Sequence, residues 1–426
     1  MLQRPTPSRS ARGGADAPAG CVTPRIGVQR SLCRRRVRCR AAASTVASEA
    51  TSTALKVGIN RVQGPRKTLE DVLRVEQGLN GGFTYAAVLD GHGGELSAQW
   101  LYDELFEAIL PYIDDSLLDD GDERPPSGLS TPGAPGSPAP RPPTPGGVKT
   151  WPPKAAGKVG VARRMLPGVR WPARLGEVFT DVFRRTDERL LHFLRSEFGD
   201  DVMGLSGSTA LVALVHPEKA IFASLGDCVA AVCRGGVAVK ATQQHRVHGV
   251  GPDVSEEVAR VESTGAWVVD GRVCNVLAVS RAFGDPEFKG VGLKTLLASG
   301  ARRGMWSQEF AAAKEFASDP VIVVPDVTEI RLLPQDEFII MGTDGLWDCM
   351  PVNDAVTYAR KQFRSGKDAQ QVAEAMTSIA LRRYTADNVG VVVIDLRRDG
   401  GGGGANGGAN GGGKNLFGGI FGGGGR

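Results

Sequence analysis

Apolar runs that end at an acid restrict the fold of this chain more than any other feature. Residues 83–89 form an apolar and aromatic run that leads into Asp90-Gly91. Residues 338–343 form a second run that leads into Asp344-Gly345, and Asp387 lies just before a third run. An acid at the end of a buried strand is costly to desolvate, and several such acids that met would repel one another unless cations neutralised them. The pattern therefore predicts buried strands that converge on a metal site.

The chemistry of these acids favours a hard divalent cation. Carboxylate oxygens and water are the ligands that Mg²⁺ or Mn²⁺ prefers, whereas a zinc site would use thiols and imidazoles. Each aspartate taken alone is better explained as a turn former, so the metal prediction rests on the combination. The sequence has no GxxxxGK[ST] loop, GxSxG elbow or HExxH helix that would indicate a competing chemistry.

Two side chains near these acids are suited to phosphate chemistry. His92 follows Asp90 by two residues and could protonate a leaving alkoxide, since the ordinary pKa of histidine is about 6.5. The alternative for His92 is a loop histidine bonded to the backbone. Arg66 lies four residues before Glu70 and could hold a phosphate with both arms of its guanidinium. The alternative for Arg66 is a solvated surface arginine.

The spacing of apolar residues predicts clustered strands rather than strict β-α-β alternation. Strands are predicted within residues 56–73, 83–89, 208–215, 219–226, 229–234, 337–341 and 389–396. The three strands between residues 208 and 234 are predicted to form an antiparallel meander. Helices are predicted over residues 97–113, 175–198, 255–264, 352–363 and 369–383. This order of elements is typical of an α+β sandwich with helices on the outside.

The net charge of +4 is distributed unevenly along the chain. Residues 1–46 contain ten arginines and one acid, Asp16, so they carry +9 and the remainder carries −5. An Arg-rich, Ser- and Ala-containing leader without an apolar core predicts a transit peptide for a plastid or a mitochondrion. A disordered basic tail is the other interpretation. The acidic remainder gives no support for nucleic-acid binding.

Composition divides the rest of the chain into one domain with two unusual segments. We expect a folded domain over residues 55–397, interrupted by a Pro-rich disordered insertion at about residues 118–172, and a Gly-rich disordered tail over residues 399–426. Seven cysteines without a CxxC pair favour free thiols in a reducing compartment. No run of about 18 apolar residues occurs, which predicts that no transmembrane helix is present.

Seven short motifs occur in order along residues 55–397. They are residues 66–71 (RKTLED), 89–94 (LDGHGG), 207–210 (GSTA), 225–227 (LGD), 277–285 (LAVSRAFGD), 343–348 (TDGLWD) and 387–388 (DN). Each motif alone is weak, but seven in sequence are specific. Together they resemble the motifs of the type 2C (PPM) metal-dependent protein serine/threonine phosphatases.

The resemblance implies two packed antiparallel β-sheets flanked by helices, with two Mg²⁺ or Mn²⁺ ions in a cleft at one end. It implies that Asp90 bridges both ions, that Gly91 offers its carbonyl, and that Asp344 and Asp387 complete the shell of one ion. Glu70 and Asp71 would act close to the ions, partly through water. Arg66 would hold the phosphate, and His92 would be the general acid. Asp227 and Asp348, together with Asp344, match a weaker third ion site.

A narrower resemblance points to the thylakoid-associated plastid phosphatases of plants, which act on phosphorylated antenna proteins of photosystem II and reverse state transitions. Residues 83–90, 265–285 and 293–316 carry this resemblance. Residues 293–316, here named the flap, include Leu293, Trp306 and Phe310 and correspond to a variable segment beside the catalytic cleft. The resemblance implies substrate selection by the flap, a monomer, and at most peripheral contact with the thylakoid membrane.

Two alternatives to this substrate remain open. One is an active phosphatase for another plastid or mitochondrial phosphoprotein. The other is a phosphatase-fold pseudoenzyme that serves as a binding module, although Asp90, Asp344, Asp387 and Arg66 are all present. The chain also departs from the family pattern. Cys228-Val229 follows Asp227 where Ser-Arg is usual, and residues 244–246 (Gln-His-Arg) stand where Asp-His is usual, which leaves the surroundings of the third site uncertain.

Overall fold

The computed structural model describes residues 55–114, 117, 169–170, 173–199 and 202–397. The predicted leader and the Gly-rich tail lie outside the described residues, as does nearly all of the predicted Pro-rich insertion. Within the range given for that insertion, Val169–Arg170 forms a short strand that pairs with residues 329–330.

The first sheet has five antiparallel strands in the spatial order β1-β16-β15-β9-β10. They are β1 (Lys56–Val62), β9 (Val229–Arg234), β10 (Val237–Lys240), β15 (Asp336–Gly342) and β16 (Val389–Asp395). The central strands β15 and β16 are buried along nearly their whole length, which explains why they read as continuous apolar runs.

The second sheet has six antiparallel strands in the spatial order β2-β3-β7-β8-β14-β5. They are β2 (Val72–Glu76), β3 (Thr84–Leu89), β5 (Val169–Arg170), β7 (Ala210–Val215), β8 (Lys219–Leu225) and β14 (Asp326–Arg331). Five two-residue strands complete the described set: β4 (Gly91–His92), β6 (Gly207–Ser208) and β13 (Phe283–Gly284) form a small sheet, and β11 (Val268–Val269) pairs with β12 (Arg272–Val273).

Eight α-helices surround these sheets in the described part of the chain. They are α1 (Leu96–Ile109), α2 (Ala173–Phe198), α3 (Pro252–Ser263), α4 (Gly292–Arg302), α5 (Gln308–Ala313), α6 (Asp344–Trp347), α7 (Val352–Arg364) and α8 (Ala369–Arg382). Local signals set several ends: Asp368 caps α8 by accepting a hydrogen bond from the Gln371 backbone, and Gly265, at φ +88°, follows the end of α3. None of the described helices has the length and apolar character needed to span a membrane.

Successive side chains of a strand point to opposite faces of its sheet, and this alternation divides the core into layers. On β15, Ile339 and Met341 pack between the two sheets, whereas Phe338 and Ile340 pack under α7 and α8. On β3, Val88 faces the same space between the sheets, and its neighbours face α1 and α2. The architecture is therefore helix, sheet, sheet, helix. Complete burial of a side chain such as Phe338 stabilises the fold by about 2 kcal/mol.

The α+β prediction is confirmed, and each predicted helix is present with ends shifted by at most a few residues. The predicted meander is wrong, because β7 pairs with β8 but β9 pairs with β15 and β10 in the other sheet. The chain crosses between sheets at residues 226–228, where Gly226 takes φ +102°. Consecutive strands are neighbours by default, so the sequence pattern alone does not reveal this crossing.

Candidate metal and phosphate site

The acids singled out by the sequence lie at one end of the seam between the two sheets. Asp71 directly precedes β2, and Asp90 directly follows β3, so both belong to the second sheet. Asp344 opens α6 just after β15, and Asp387 lies just before β16, so both belong to the first sheet. Asp227 lies on the crossing from β8 to β9 and belongs to both.

Three of these acids form a tight group. Asp90, Asp227 and Asp344 each place one carboxylate oxygen within 4.8 Å of the others. Burial, followed by repulsion from neighbouring aspartates, raises the pKa of Asp90 and of Asp344 well above the ordinary value for aspartate. A cation would remove this penalty, and hard carboxylate oxygens are suited to Mg²⁺ or Mn²⁺. The residues present therefore fit a divalent-metal centre.

Two close backbone contacts let the loops of this site meet. A Cβ atom at Gly91 would lie 2.7 Å from the carbonyl oxygen of Glu70. A Cβ atom at Gly345 would lie 1.8 Å from the carbonyl oxygen of Asn388. Any side chain at either position would push apart the segments that carry the acids, which explains the Asp-Gly pairs in physical terms.

Arg66 and Asp387 meet at the exposed edge of the site. Arg66 Nη2 donates a hydrogen bond to Asp387 Oδ2, and the arginine side chain is 54% exposed. Asn388 holds the loop that carries Arg66, because its Nδ2 donates to the carbonyl oxygens of Gln63 and Thr68 at 2.6 and 2.9 Å. Its Oδ1 accepts from the Glu70 backbone N–H at 2.8 Å. No separate function was predicted for Asn388 from the sequence.

Asp71 lies deeper than the other acids, between the sheets. It is 1% exposed, and burial raises its pKa to about 7 even though Thr343 Oγ1 donates a 2.9 Å hydrogen bond to its Oδ2. The Thr343 hydroxyl also accepts from the Gly390 backbone N–H at 2.9 Å, so this threonine joins Asp71 to the first sheet. Glu70 is partly exposed, and its Oε1 accepts a 2.9 Å hydrogen bond from Thr68.

His92 is paired with an acid to which the sequence analysis assigned no function. Its Nε2 lies 2.9 Å from both carboxylate oxygens of Asp285, which is 4% exposed. Burial alone would lower the pKa of His92, but the charge and hydrogen bond of Asp285 outweigh burial and raise it. A Cβ atom at Gly207 would lie 2.3 Å from His92 Nε2, so only glycine fits beside the pair. The imidazole is therefore held close to a buried negative charge.

The residues that the resemblance assigns to a third ion, Asp227, Asp344 and Asp348, face a cationic side chain. The guanidinium of Arg246 lies among them: its Nε is 3.0 Å from Asp227 Oδ2, its Nη1 is 2.7 Å from Asp348 Oδ1, and its Nη2 is 3.6 Å from Asp344 Oδ2. The sequence marked residues 244–246 only as a departure from the family pattern. The signal that could have identified Arg246 is the positive charge within that departure, but residue 246 is 19 positions from Asp227 and only the fold brings the two together.

The flap forms two helices, α4 and α5, for which the sequence analysis made no prediction. Trp306 and Phe310 pack edge-on against Trp267, with ring centroids 5.3 and 5.1 Å away. Within the flap, Leu293 is buried, whereas Phe310 is 39% exposed. The helix α4 rests on the turn at residues 286–288, where a Cβ atom at Gly292 would lie 1.7 Å from the Pro286 carbonyl oxygen. The flap therefore packs directly behind Asp285.

Comparisons with known sequences give one consistent description. A family profile described as "Protein phosphatase 2C" matches residues 161–389. Protein phosphatase 2C 57 of Arabidopsis thaliana is 32% identical over 392 residues, which cover 91% of this chain and 86% of that protein. Probable protein phosphatase 2C 47 of Oryza sativa subsp. japonica is 34% identical over 194 residues, which cover 46% of this chain and 43% of that protein.

Solved structures share the fold at low sequence identity. A serine-threonine phosphatase 2C from Toxoplasma gondii aligns with a TM-score of 0.52 and 18% identity, over 81% of this chain and 96% of that one. A sex-determining protein of C. elegans aligns with a TM-score of 0.52 and 20% identity, over 80% of this chain and 65% of that one. These likenesses establish the two-sheet architecture.

Proposed function

Because this chain belongs to the protein phosphatase 2C family, it is a protein serine/threonine phosphatase, and we propose that two Mg²⁺ or Mn²⁺ ions support its hydrolysis of phosphoserine and phosphothreonine. The observation that carries the metal proposal is the group formed by Asp90, Asp227 and Asp344. Asp90 and Asp344 would hold the ions together with Asp387 and the carbonyl of Gly91. Asp71 and Glu70 would act near the ions through water.

The chemistry divides between the ions and the side chains around them. Bound divalent ions would neutralise the carboxylates and make water nucleophilic by lowering its pKa. Arg66 stands at the exposed edge, where part of its guanidinium can bind two phosphate oxygens while Asp387 holds the rest. His92, whose pKa is raised by the charge and hydrogen bond of Asp285, would donate a proton to the serine or threonine oxygen as it leaves. The chain's own groups thus orient the phosphate and protonate the product.

Removal of the central acid tests the metal proposal. We expect Asp90→Asn to lower Mn²⁺-dependent phosphate release from a phosphothreonine peptide by at least about a hundredfold, because one carboxylate is lost from the group that holds the ions. Asp354→Asn, at an exposed position on α7, is the matched control and should keep full activity. Unchanged turnover of the Asp90 variant, or full activity of the wild type in EDTA, would contradict the proposal.

For the substrate, we propose phosphorylated light-harvesting antenna proteins of photosystem II in the chloroplast. The proposal rests on the narrower resemblance of residues 83–90, 265–285 and 293–316, and on the Arg-rich leader. An exposed aromatic side chain, Phe310, on a flap that packs behind Asp285 offers a surface that a protein substrate can contact but a small phosphoester does not need. State transitions would be reversed by this activity.

The flap can be tested by comparing two substrates. We expect Phe310→Ala, and more strongly the replacement of residues 293–316 by a short linker, to lower activity on antenna protein while activity on a small phosphoester is kept. Lys294→Ala, at an exposed position of α4, serves as a surface control. Equal losses on both substrates would exclude the flap from substrate selection.

Two alternatives are outcomes of the same assays. Activity on thylakoid core subunits or stromal phosphoproteins, but not on antenna protein, would favour another plastid substrate. No activity on any phosphopeptide would favour a binding module of phosphatase fold.

Import of a reporter fused to residues 1–54 tests the proposed chloroplast location. Uptake by isolated chloroplasts supports this location, whereas uptake by mitochondria alone would favour the mitochondrion instead.

A further inference from the structure

We propose that Arg246 is a built-in cation that takes the place of a third metal ion in this phosphatase. The inference rests on the proposed two-ion centre and concerns its composition. It follows from the position of one guanidinium among three carboxylates, and it predicts that the wild-type chain binds two divalent ions and no more.

Two guanidinium nitrogens of Arg246 donate hydrogen bonds to carboxylates, and the third lies 3.6 Å from a carboxylate without a hydrogen bond. Nε contacts Asp227, Nη1 contacts Asp348 and Nη2 faces Asp344. An Mg²⁺ ion needs oxygen ligands at about 2.0–2.1 Å in an octahedral arrangement. An ion bound to these three carboxylates would require the space that the guanidinium takes, because each carboxylate already faces one of its nitrogens. Arginine and a third ion are therefore mutually exclusive at this position.

The backbone that carries Arg246 is firmly positioned. His245 is 2% exposed, its backbone N–H donates to the Gly226 carbonyl oxygen at 2.8 Å, and its Nδ1 accepts from the Gly226 N–H at 3.1 Å. On the other side, the Ser280 backbone N–H donates to the His245 carbonyl oxygen at 3.2 Å. Gln244 Nε2 also donates to the Asp227 carbonyl oxygen at 3.0 Å. The segment is thus bound to the turn whose aspartate the arginine contacts.

The location of Arg246 also connects it to the proposed ions. Asp227 and Asp344 belong both to the group that fits the metal centre and to the set that faces Arg246. The arginine side chain is only 12% exposed, so its charge is weakly screened by solvent. A fixed positive charge on this side neutralises the acids without dissociating. A titration with Mg²⁺ or Mn²⁺ would therefore show two bound ions and no weaker third binding step.

Metal stoichiometry tests the inference independently of activity. We expect the wild type to bind two Mn²⁺ ions per chain in equilibrium dialysis and calorimetry. Arg246→Gln should bind three, because a neutral side chain no longer balances the charges of Asp227, Asp344 and Asp348. Arg246→Lys, which keeps a positive charge, should bind two. Adding Asp348→Asn to Arg246→Gln should return the count to two.

A matched control and a second readout guard against misfolding. Arg360→Gln removes a guanidinium that is paired with Glu337, at the opposite end of β15, and should leave the count at two. Asp348→Asn alone should also leave the wild-type count unchanged, because Asp348 would bind no ion. In EDTA, Arg246→Gln should melt below the wild type, and saturating Mn²⁺ should raise its midpoint by more than it raises that of the wild type.

The opposite results would overturn the inference. Three ions in the wild type, the loss of one ion on Asp348→Asn alone, or two ions in Arg246→Gln would each show that the arginine does not replace a metal. A wild-type chain that binds no Mn²⁺ would contradict the proposed metal centre itself, and the inference with it. The two failures are therefore distinguishable by the count alone.

Discussion

At the scale of single residues, Asp285 has the most specific task that the structure reveals. It lies in the left-handed region at φ +50°, a conformation that aspartate and asparagine adopt more readily than other side chains. Its backbone N–H donates to the Ser206 carbonyl oxygen at 3.1 Å, which fixes the turn. Its carboxylate is thereby held against His92, the proposed acid.

We expect Asp285→Asn to lower kcat by about tenfold to a hundredfold, because an amide cannot stabilise the imidazolium of His92. The KM for a phosphothreonine peptide should change little, since Asp285 contacts His92 and not the phosphate-binding Arg66. Asparagine keeps the size and backbone preference of the native residue, so the fold should be preserved. Steady-state kinetics and a circular dichroism spectrum check both points.

The control for this prediction is Asp319→Asn, which removes the carboxylate that accepts from the Gly290 backbone N–H at 2.7 Å. That change lies near the same turn but leaves His92 untouched. If Asp285→Asn altered only KM and left kcat unchanged, the result would contradict the role of the His92–Asp285 pair in protonating the leaving group.

Some of the site could be predicted from the sequence because it depends on local pattern. Acids at strand ends predicted that Asp90 and Asp344 would meet, and the structure places their carboxylates in one group. The partners Asp285, Asn388 and Arg246 could not be assigned in this way. Each acts through contacts with residues that are distant in the chain, and no periodicity or spacing encodes such contacts.

At the scale of elements, the first turn of α6 and the start of β16 are pressed together at Gly345. The 1.8 Å separation between an added Cβ and the Asn388 carbonyl oxygen leaves no room for even a methyl group. Thr385 Oγ1 also donates to the Gly345 carbonyl oxygen at 2.7 Å. These contacts keep Asp344 and Asp387 at the same end of the first sheet.

We expect Gly345→Ala to lower Mn²⁺ affinity by more than about tenfold and to destabilise the fold by about 1–3 kcal/mol, because the methyl group must displace backbone. Gly176→Ala is the control, since a Cβ there meets nothing within 4 Å. In the interior of α2 that change should stabilise the fold by about 0.5–1 kcal/mol. Calorimetric titration and thermal unfolding measure the two effects, and an unaltered Mn²⁺ affinity would contradict this account of Gly345.

A buried ion network attaches α3 to the segment before the flap. Glu257, on α3, is 5% exposed and accepts hydrogen bonds from Arg281 Nη2 and Nε at 2.5 and 3.1 Å, from Arg260 Nη2 at 3.1 Å, and from the Ser280 hydroxyl at 2.5 Å. Burial alone would raise the pKa of Glu257, but these partners outweigh burial and lower it to about 2. The buried His245, whose pKa is lowered by burial, also faces this network.

A lowered pKa makes this network stabilising at neutral pH. The contribution is complete above the unfolded pKa of about 4.5 and is lost as pH falls toward 2. We expect Glu257→Gln to cost about 3 kcal/mol of unfolding free energy at pH 7, and the difference from wild type to shrink between pH 5 and 2. Urea unfolding at several pH values measures it, with exposed Glu374→Gln as control. A difference that is constant over this range would contradict the ionic explanation.

Elements with a strong sequence pattern of their own were predicted, whereas elements that depend on tertiary packing were not. The strands β3, β15 and β16 are continuous apolar runs and were identified closely. The helices of the flap were not, because α5 is short and is held by the packing of Trp306 and Phe310 on Trp267 rather than by its own pattern. The transfer of β9 to the other sheet depends on the whole fold.

At the scale of the whole molecule, the proposed metal centre joins two sheets whose facing surfaces are mainly apolar. Asp71 and Asp90 come from one sheet, and Asp344 and Asp387 come from the other. Ligands from both sheets bind ions only when the sheets are packed. Binding should therefore stabilise the complete fold rather than one part.

We expect Mn²⁺ at a hundred times its dissociation constant to add about 2.7 kcal/mol of stability for each bound ion, which corresponds to a rise of about 5 °C in Tm per ion. Asp90→Asn should lose most of this rise. Scanning calorimetry with and without Mn²⁺ measures the effect, with metal-free EDTA buffer as the reference. An equal rise for Asp90→Asn and wild type would place the stabilising ions elsewhere.

The seam between the two sheets has a consequence for the life of the protein in a cell. Arg246 still balances Asp227 when the ions leave, whereas Asp90 and Asp344, one from each sheet, would then repel each other across the seam. A chain stripped of its ions would loosen there at the same moment that it stops working. Such inactive molecules would be the ones most exposed to proteases, and limited proteolysis in EDTA should begin in the loops that carry these two acids.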